Sequence, residues 1–312
     1  MCLDRWFLAD SDFKVSVHCI NYFMNQFRTD LRLGFQLQHI EYNQEKTKSI
    51  SMNVLVFDIE TIPDTASGRK IYDLGDLSDE DTARAMVAKQ VQKTGGSDFL
   101  PLHLHRVVAI SAVYRSRDSL KVWSLGNLDS PEDELIQRFF DGIDRYSPTI
   151  VSWNGSGFDL PVLHYRSLLH NIDASRYWEN GDEHKEFKFN NYLSRYHYRH
   201  IDVMDMLSGF NLRACAPLDQ IAVMLGFPGK LGMSGAAVWD NYLGGELQGI
   251  RNYCETDVLN TYLVYLRWEL IRGNLTKDQY QNECQKTRDL LDESGMPHLL
   301  EFLQAWNIGG KE

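Results

Sequence analysis

Short apolar runs rich in β-branched and aromatic residues recur along the chain and predict the strands of a buried sheet. The five runs are Asn53–Phe57, Val107–Tyr114, Leu120–Leu125, Thr149–Trp153 and, more weakly, Ile201–Met204. Apolar residues spaced three and four positions apart predict amphipathic helices between these runs and after the last of them. The predicted helices are Asp79–Lys93, Pro131–Ile143, Leu160–His170, Glu246–Arg272, Thr276–Glu293 and Pro297–Trp306.

The order of these elements favours one fold class. Residues Arg115–Ser119 have the length of a hairpin turn, which makes the second and third strands antiparallel neighbours. The later strands alternate with helices, as expected for right-handed crossovers between parallel strands. The pattern therefore predicts an α/β fold with a mixed sheet, helices on both faces and further C-terminal helices, which is a ribonuclease H-like layout.

Composition narrows the class of protein. The chain has 312 residues, of which 43% are hydrophobic and 24% charged, so it can bury a sizeable core. Its net charge of −11 disfavours a binder held to nucleic acid by charge alone, but it is compatible with carboxylates that metal ions neutralise. The five scattered cysteines form no CxxC pair, which indicates neither a disulfide framework nor a zinc site. This cysteine usage predicts a reducing, cytoplasmic location. No run approaches the length needed to span a membrane.

Residues 1–51 do not have the pattern of a domain of their own. They contain one weakly amphipathic stretch and end in the polar linker Asn43–Ser49. Met52 stands directly before the first strong strand, so these residues are either an extension upstream of the natural start or a poorly packed N-terminal arm. We expect one domain over residues 52–272, followed by a helical tail over residues 273–312.

Asp58 and Glu60 follow the first apolar run and are the first candidate metal ligands. Residues two apart on a strand project from the same face, so the two carboxylates point together. Neighbouring carboxylates repel each other unless a cation lies between them, and Mg²⁺ and Mn²⁺ prefer such oxygen ligands. The Asp-x-Glu pattern is weak evidence by itself, because such a pattern is more often a solvated strand end.

The segment Trp153–Asp159 leads from the fourth strand into a helix and is the second candidate. Gly155 and Gly157 permit a tight turn with close backbone approach. Asp159 stands at the position of a helix cap, and capping alone would account for it. The Asn154 side chain and the glycine backbone could also contact a phosphate or a sugar.

Tyr253 and Asp257 are the third candidate. They lie four residues apart on the long predicted helix and therefore share one face. A helical tyrosine is more often a core residue than a catalytic one, so this pair is also weak when it is taken alone.

Together the three motifs, in this order, resemble the tyrosine subgroup of the DEDD superfamily of 3′–5′ exonucleases. The sequence is most similar to predicted 3′–5′ exonucleases related to the proofreading domain of family B DNA polymerases. The similarity runs from about Met52 to Gly273 and includes the stretches Phe99–His103, His200–Asp202 and Gly226–Gly232. The remaining residues are too few for a polymerase palm or fingers, so a free-standing nuclease is expected.

The resemblance implies that four carboxylates hold two divalent cations, Mg²⁺ or Mn²⁺, and that Tyr253 orients the attacking water. The implied ligands are Asp58, Glu60, Asp159 and Asp257. The implied activity removes nucleoside 5′-monophosphates from the 3′ end of single-stranded nucleic acid, most readily DNA. An exoribonuclease or oligoribonucleotide hydrolase on the same fold, and a binding module without catalysis, are the alternatives.

His197 and Asp202 compete with the tyrosine pair, because some DEDD enzymes place a histidine and an aspartate five residues apart. Asp202 lies in an apparent strand and not on the closing helix. We therefore favour Tyr253 and Asp257, and we expect Asp202 to support the site.

Residues 184–200 interleave aromatic rings with cations, a composition suited to a single strand whose bases stack and whose phosphates pair. The alternative is a solvated loop whose rings pack on the core. The predicted substrate contacts are Thr61, Asn154, Phe158, Lys185, Lys188, Arg195 and Arg199.

Two weaker candidates for binding nucleic acid remain. His103, His105 and Arg106 form a second basic group, and Gly229–Gly232 is a weak phosphate loop, because it lacks the spacing of a nucleotide P-loop. We expect neither a membrane nor an obligate protein partner.

Overall fold

The structure is a computed structural model, and it describes residues 53–309. The weak helix within residues 1–51 and the choice of Met52 as the natural start lie outside these residues. The strands are β1 (Asn53–Pro63), β2 (His105–Ser116), β3 (Leu120–Ser124), β4 (Thr149–Ser152) and β5 (His200–Asp202).

These strands form one mixed sheet in the order β3-β2-β1-β4-β5. Strand β2 pairs antiparallel with β1 on one side and with β3 on the other. Strands β4 and β5 continue the sheet beyond β1 and run parallel to it. Two antiparallel pairs followed by parallel crossovers are the predicted topology. The prediction of a ribonuclease H-like α/β fold is confirmed by this sheet order and pairing.

Helices cover both faces of the sheet and extend beyond it. They are α1 (Thr65–Tyr72), α2 (Asp79–Thr94), α3 (Glu132–Tyr146), α4 (Asp159–His170), α5 (Ser175–Trp178), α6 (Val203–Ser208), α7 (Leu218–Met224), α8 (Val238–Leu243), α9 (Leu247–Ile271), α10 (Lys277–Glu293) and α11 (Pro297–Gly309). The long predicted helices are confirmed to within a few residues. The short helices α1 and α5–α8 were not predicted, because their few turns give too little periodicity.

Two strand predictions were wrong at their ends. Strand β1 continues six residues past Phe57 to Pro63, because β2 pairs with it along its whole length, with a register shift between Glu60 and Thr61. Strand β5 stops at Asp202 instead of Met204, because the Asp202 side chain accepts a hydrogen bond from the Asp205 backbone N–H and starts α6 there. The acidic pair therefore lies inside a strand and not at its end.

The core has two layers, one on each face of the sheet. Val54 and Val56 turn towards α9, while Leu55 and Phe57 turn towards α3 and α4, as the period of two along a strand requires. The layers differ in size, because α10 and α11 extend the first one. Their residues Leu291, Leu299, Phe302 and Trp306 belong to the same cluster as α9.

A buried ion pair joins the C-terminal helices to the sheet. Arg115 on β2 donates two hydrogen bonds, of 2.6 and 2.8 Å, to the carboxylate of Glu283 on α10. The hydroxyl of Tyr262 on α9 lies 3.4 Å from the same carboxylate. Helix α9 is therefore fixed from the sheet side and from the side of α10.

Candidate active site

The acidic pair on β1 faces α9. The alternation that turns Val54 and Val56 towards this helix also turns Asp58 and Glu60 towards it. One ligand atom each from Asp58, Glu60 and Cys254 lie within 4.8 Å of one another. The predicted shared face of Asp58 and Glu60 is therefore present, and it meets the helix that carries the third motif.

Asp159 reaches the same place from the first turn of α4. Its side chain is 3% exposed, and its Oδ1 accepts a hydrogen bond of 3.1 Å from the backbone N–H of Ile59. That N–H belongs to the residue between Asp58 and Glu60, so this bond sets Asp159 directly against the acidic pair.

The turn before α4 leaves little room for any other backbone. Asn154 has a φ of +63°, and its carbonyl accepts hydrogen bonds from the N–H groups of Gly157 and Phe158. A Cβ atom at Gly155 would lie 2.2 Å from the Ser152 Oγ, so only glycine fits there.

Asp202 fastens this turn. One of its carboxylate oxygens accepts the N–H of Asn154 at 2.9 Å and the other accepts that of Ser156 at 2.8 Å. This is the supporting position that the sequence indicated.

The hydrogen bonds that Asp202 accepts should stabilise the folded protein by a measurable amount. Asp202→Ala leaves three backbone N–H groups without this acceptor, those of Asn154, Ser156 and Asp205, so we expect the free energy of unfolding to fall by about 2–3 kcal/mol. Asp202→Asn keeps one acceptor oxygen and should lose roughly half as much. Chemical denaturation of the three proteins measures this, and an alanine variant as stable as the wild type would contradict the assigned contacts.

Tyr253 and Asp257 complete the group from one face of α9. They are 5% and 9% exposed. A hydrogen bond from the Tyr253 hydroxyl opposes the effect of burial on the Asp257 carboxyl, whose pKa is raised to about 6. Burial, followed by the Asp257 and Glu60 charges, raises the pKa of Tyr253 far above its ordinary value. Tyr253 therefore stays protonated and acts as a hydrogen-bond donor.

The four carboxylates share one electrostatic environment. Burial raises the pKa of Asp58 and of Glu60 well above their ordinary values, and the charges of Asp159 and Asp257 raise both further. Burial also raises the pKa of Asp159 to about 7, against the hydrogen bonds from its own N–H and that of Ile59. Four carboxylates with raised pKa values, gathered from three elements, are the oxygen donors that hard divalent cations prefer.

Lys230 is a cation at this site that the sequence indicated only as part of a weak phosphate loop. Its charge lowers the pKa values of both Glu60 and Asp257. The loop that carries it is fixed to α9, because Asn260 exchanges hydrogen bonds with Gly229, its Nδ2 donating at 2.8 Å and its Oδ1 accepting at 3.3 Å. No spacing in the sequence relates a loop lysine to carboxylates on three other elements, so this neighbour could not have been found there.

Cys254 is a second neighbour that sequence reasoning missed. Its thiol is fully buried and donates to the backbone oxygen of Asp58 at 3.4 Å. Burial, together with the charges of Asp58 and Glu60, raises the pKa of this thiol. Cys254 is therefore a neutral donor that supports β1.

Thr61, Phe158 and His105 form one edge of the site. The Thr61 hydroxyl lies 2.9 Å from His105 Nδ1, and His105 Nε2 donates to the backbone oxygen of Leu100. The rings of His105, Phe158 and Phe99 lie 5.1–5.8 Å apart, and Phe99 is 55% exposed. Two of the predicted substrate contacts, Thr61 and Phe158, therefore belong to one cluster around His105, and they adjoin Glu60 and Asp159 along the chain.

Within residues 53–309, no hydrogen bond or ion pair joins the basic segment, residues 184–199, to the four carboxylates. Tyr198 lies under Arg272, which follows Asp257 by fifteen residues and is thus about 22 Å away along α9. Arg195 lies nearer to the turn, because its charge opposes the rise in the pKa of Asp205 that burial causes. The substrate roles of Lys185, Lys188, Arg195 and Arg199 stay predictions.

Within this segment, Arg199 and His197 bind to neighbouring residues of the protein itself. Arg199 donates to the backbone oxygens of Asn190 and Ser147 and covers the ring of Phe187. His197 Nδ1 accepts the N–H of Asn191. Both members of the alternative pair thus make backbone contacts, His197 with Asn191 and Asp202 with the turn.

A family model for predicted 3′–5′ exonucleases related to the exonuclease domain of PolB matches residues 97–306, and the chain belongs to this family. The matched range includes Asp159, Tyr253, Asp257 and both C-terminal helices. The matched range starts after β1, so the assignment of Asp58 and Glu60 to the site rests on the geometry described above.

One solved structure similar to the chain is the family B DNA polymerase from the hyperthermophilic archaeon Pyrobaculum calidifontis. The identity is 16%, the TM-score is 0.41, and the similarity covers 77% of this chain and 28% of that one. No curated protein matches the chain. Within residues 53–309, no helix has the length and apolar character needed to cross a membrane.

Proposed function

We propose that this chain is a metal-dependent 3′–5′ exonuclease that shortens single-stranded nucleic acid, DNA in particular, and releases nucleoside 5′-monophosphates. The observation that carries the proposal is the convergence of the half-buried Asp58 with the buried Glu60, Asp159 and Asp257 beside a protonated tyrosine. Family membership supports the reaction class.

The donor set fits divalent cations. Buried carboxylates that repel one another have raised pKa values, and a cation among them relieves both the repulsion and the loss of solvation. Two bound Mg²⁺ or Mn²⁺ ions would lower the pKa of a water and stabilise charge on the leaving 3′-oxygen.

The chain's own groups have separate tasks in this proposal. Tyr253 orients the attacking water through its hydroxyl and is not the base, because its pKa lies far above neutrality. Lys230 offsets part of the negative charge beside Glu60 and Asp257 and can contact a non-bridging phosphate oxygen. Thr61 and Phe158 border the position of the terminal nucleotide.

The proposal includes a cytoplasmic location and action without an obligate protein partner. The described cysteines, Cys215, Cys254 and Cys284, are all free thiols, which supports a reducing compartment.

Digestion of a 5′-labelled single strand tests the proposal. With Mg²⁺ or Mn²⁺ we expect a ladder that shortens from the 3′ end and nucleoside 5′-monophosphates as products, and EDTA should abolish the reaction. DNA and RNA strands of the same sequence are compared in parallel. Internal cuts at early times would indicate an endonuclease, a preference for RNA would select the exoribonuclease alternative, and no digestion would leave a binding module.

Metal-free stability should decrease as the pH rises. A carboxyl whose pKa is higher in the folded state binds more protons there, so stability is present below the unfolded pKa of about 4 and is lost through the folded values of about 6 and 7. We therefore expect Mn²⁺ to raise the melting temperature more at pH 8 than at pH 5. The difference between wild type and Asp257→Asn isolates this contribution, and an Mn²⁺ shift independent of pH would contradict it.

A further inference from the structure

A polar cleft lies beside the start of the loop that carries Lys230. Its volume is about 660 Å³, and it is bordered by the end of α7, by α9, α10 and the end of α11. Two arginines line it, Arg267 from α9 and Arg288 from α10, together with the amides of Gln281 and Gln285.

Both guanidinium groups lack a carboxylate partner among residues 53–309. The nearby carboxylates are already paired, that of Glu269 with Arg272 and that of Glu283 with Arg115 and Lys286. Two uncompensated cations in one cleft attract an anion, and they do so against the repulsion from a protein whose net charge is −11.

Aromatic rings hold the two guanidinium groups in place. The Arg288 guanidinium lies 3.9 Å from the centre of the Trp306 ring, and Arg267 donates two hydrogen bonds, of 3.1 and 2.9 Å, to the Tyr280 hydroxyl. Trp306 is 2% exposed and therefore cannot stack a nucleobase. A guanidinium that is stacked in this way keeps N–H edges for a phosphate, so the cleft suits an anion and not a base.

The loop that starts at the cleft also reaches the candidate active site. Gly226 and Phe227 line the cleft, and four residues after Gly226 the same loop presents Lys230 to Glu60 and Asp257. Arg267 follows Asp257 by ten residues on α9, which is about 15 Å along the helix axis. Such a distance corresponds to roughly four or five stacked nucleotides of about 3.4 Å each.

We propose that Arg267 and Arg288 bind a backbone phosphate of the substrate strand, four or five nucleotides from the scissile bond. This inference rests on the proposed exonuclease function. It adds a binding site that increases the affinity for strands long enough to reach the cleft.

Binding of inorganic pyrophosphate tests the cleft without any catalysis. Isothermal titration in EDTA is carried out on wild type, Arg267→Gln, Arg288→Gln and the control Arg138→Gln, an exposed arginine paired with Glu134. We expect each cleft variant to weaken binding at least about tenfold and the control to leave it unchanged. Arg267→Lys and Arg288→Lys keep the charge and should retain part of the affinity, and they replace the glutamine variants if circular dichroism shows that those do not fold.

Chain-length dependence then connects the cleft to the substrate. KM is measured for a trimer and a dodecamer of single-stranded DNA, and the cleft variants should raise KM for the dodecamer about tenfold more than for the trimer. For the dodecamer, the slope of log KM against log salt concentration should become shallower by about one for each phosphate contact that is lost.

The outcomes separate this inference from the function on which it rests. Pyrophosphate affinity that is equal in wild type and cleft variants overturns it, and so does an equal rise in KM for both strands. Lost pyrophosphate binding in a protein that digests no strand at all would contradict the exonuclease and leave the anion site standing.

Discussion

Replacing Asp257 with asparagine is expected to lower kcat by about a thousandfold or more, measured as release of nucleotides from a labelled strand. The variant keeps the size and hydrogen-bonding capacity of the side chain but removes one of four charges that cations need. Asp58→Ala should have an effect of the same order, because Asp58 lies at the centre of the same group. The matched control is Asp118→Asn, an exposed aspartate in the β2–β3 turn, and it should keep the wild-type rate.

The same Asp257 variant should not weaken the metal-free fold. Removing one of several buried, mutually repelling carboxylates relieves repulsion, so metal-free stability at pH 8 should stay equal or rise, on the order of 1–3 kcal/mol. Chemical denaturation in EDTA measures this. A rate near that of the wild type in a folded Asp257→Asn protein would refute the site.

Removal of the Tyr253 hydroxyl is expected to reduce the rate by about 10- to 100-fold, the range for a lost positioning group. Tyr253→Phe keeps the ring and its packing on α9 and deletes only the hydrogen bond to Asp257. In the structure the residue is 5% exposed, so the free energy of unfolding should fall by about 1 kcal/mol and no more.

A second tyrosine on the same helix supplies the control for this variant. Tyr262 is fully buried, and its hydroxyl lies 3.4 Å from the Glu283 carboxylate, away from the four aspartates and glutamates of the site. Tyr262→Phe should therefore cost stability without changing the rate. A silent Tyr253→Phe beside an inactive but folded His197→Ala would instead move the catalytic assignment to His197 and Asp202.

The sequence predicted those parts of the fold and site that depend on local periodicity. The shared face of Asp58 and Glu60 follows from the two-residue period of a strand, and that of Tyr253 and Asp257 from helical spacing. The distance between the two pairs could not be predicted, since it depends on how α9 crosses the sheet. The resemblance to a known family supplied that link.

Other features were missed for physical reasons. The continuation of β1 past Phe57 depends on pairing with β2, and pairing is not visible in one strand's sequence. Lys230 acts on the site through its charge from a loop, and a loop has no regular spacing of residues from which this position could be predicted. Residues 184–199 have the composition of a strand-binding surface, but composition carries no information on distance from the carboxylates.

The clamping of α9 has a mechanical consequence. The sheet holds one side of this helix, and α10 holds the other through Tyr262 and the Arg115–Glu283 pair. Tyr253 and Asp257 thus lie on a helix whose position is fixed by contacts far from the reacting atoms. Entry and exit of a strand are therefore expected to depend on movement of other elements and not on that of α9.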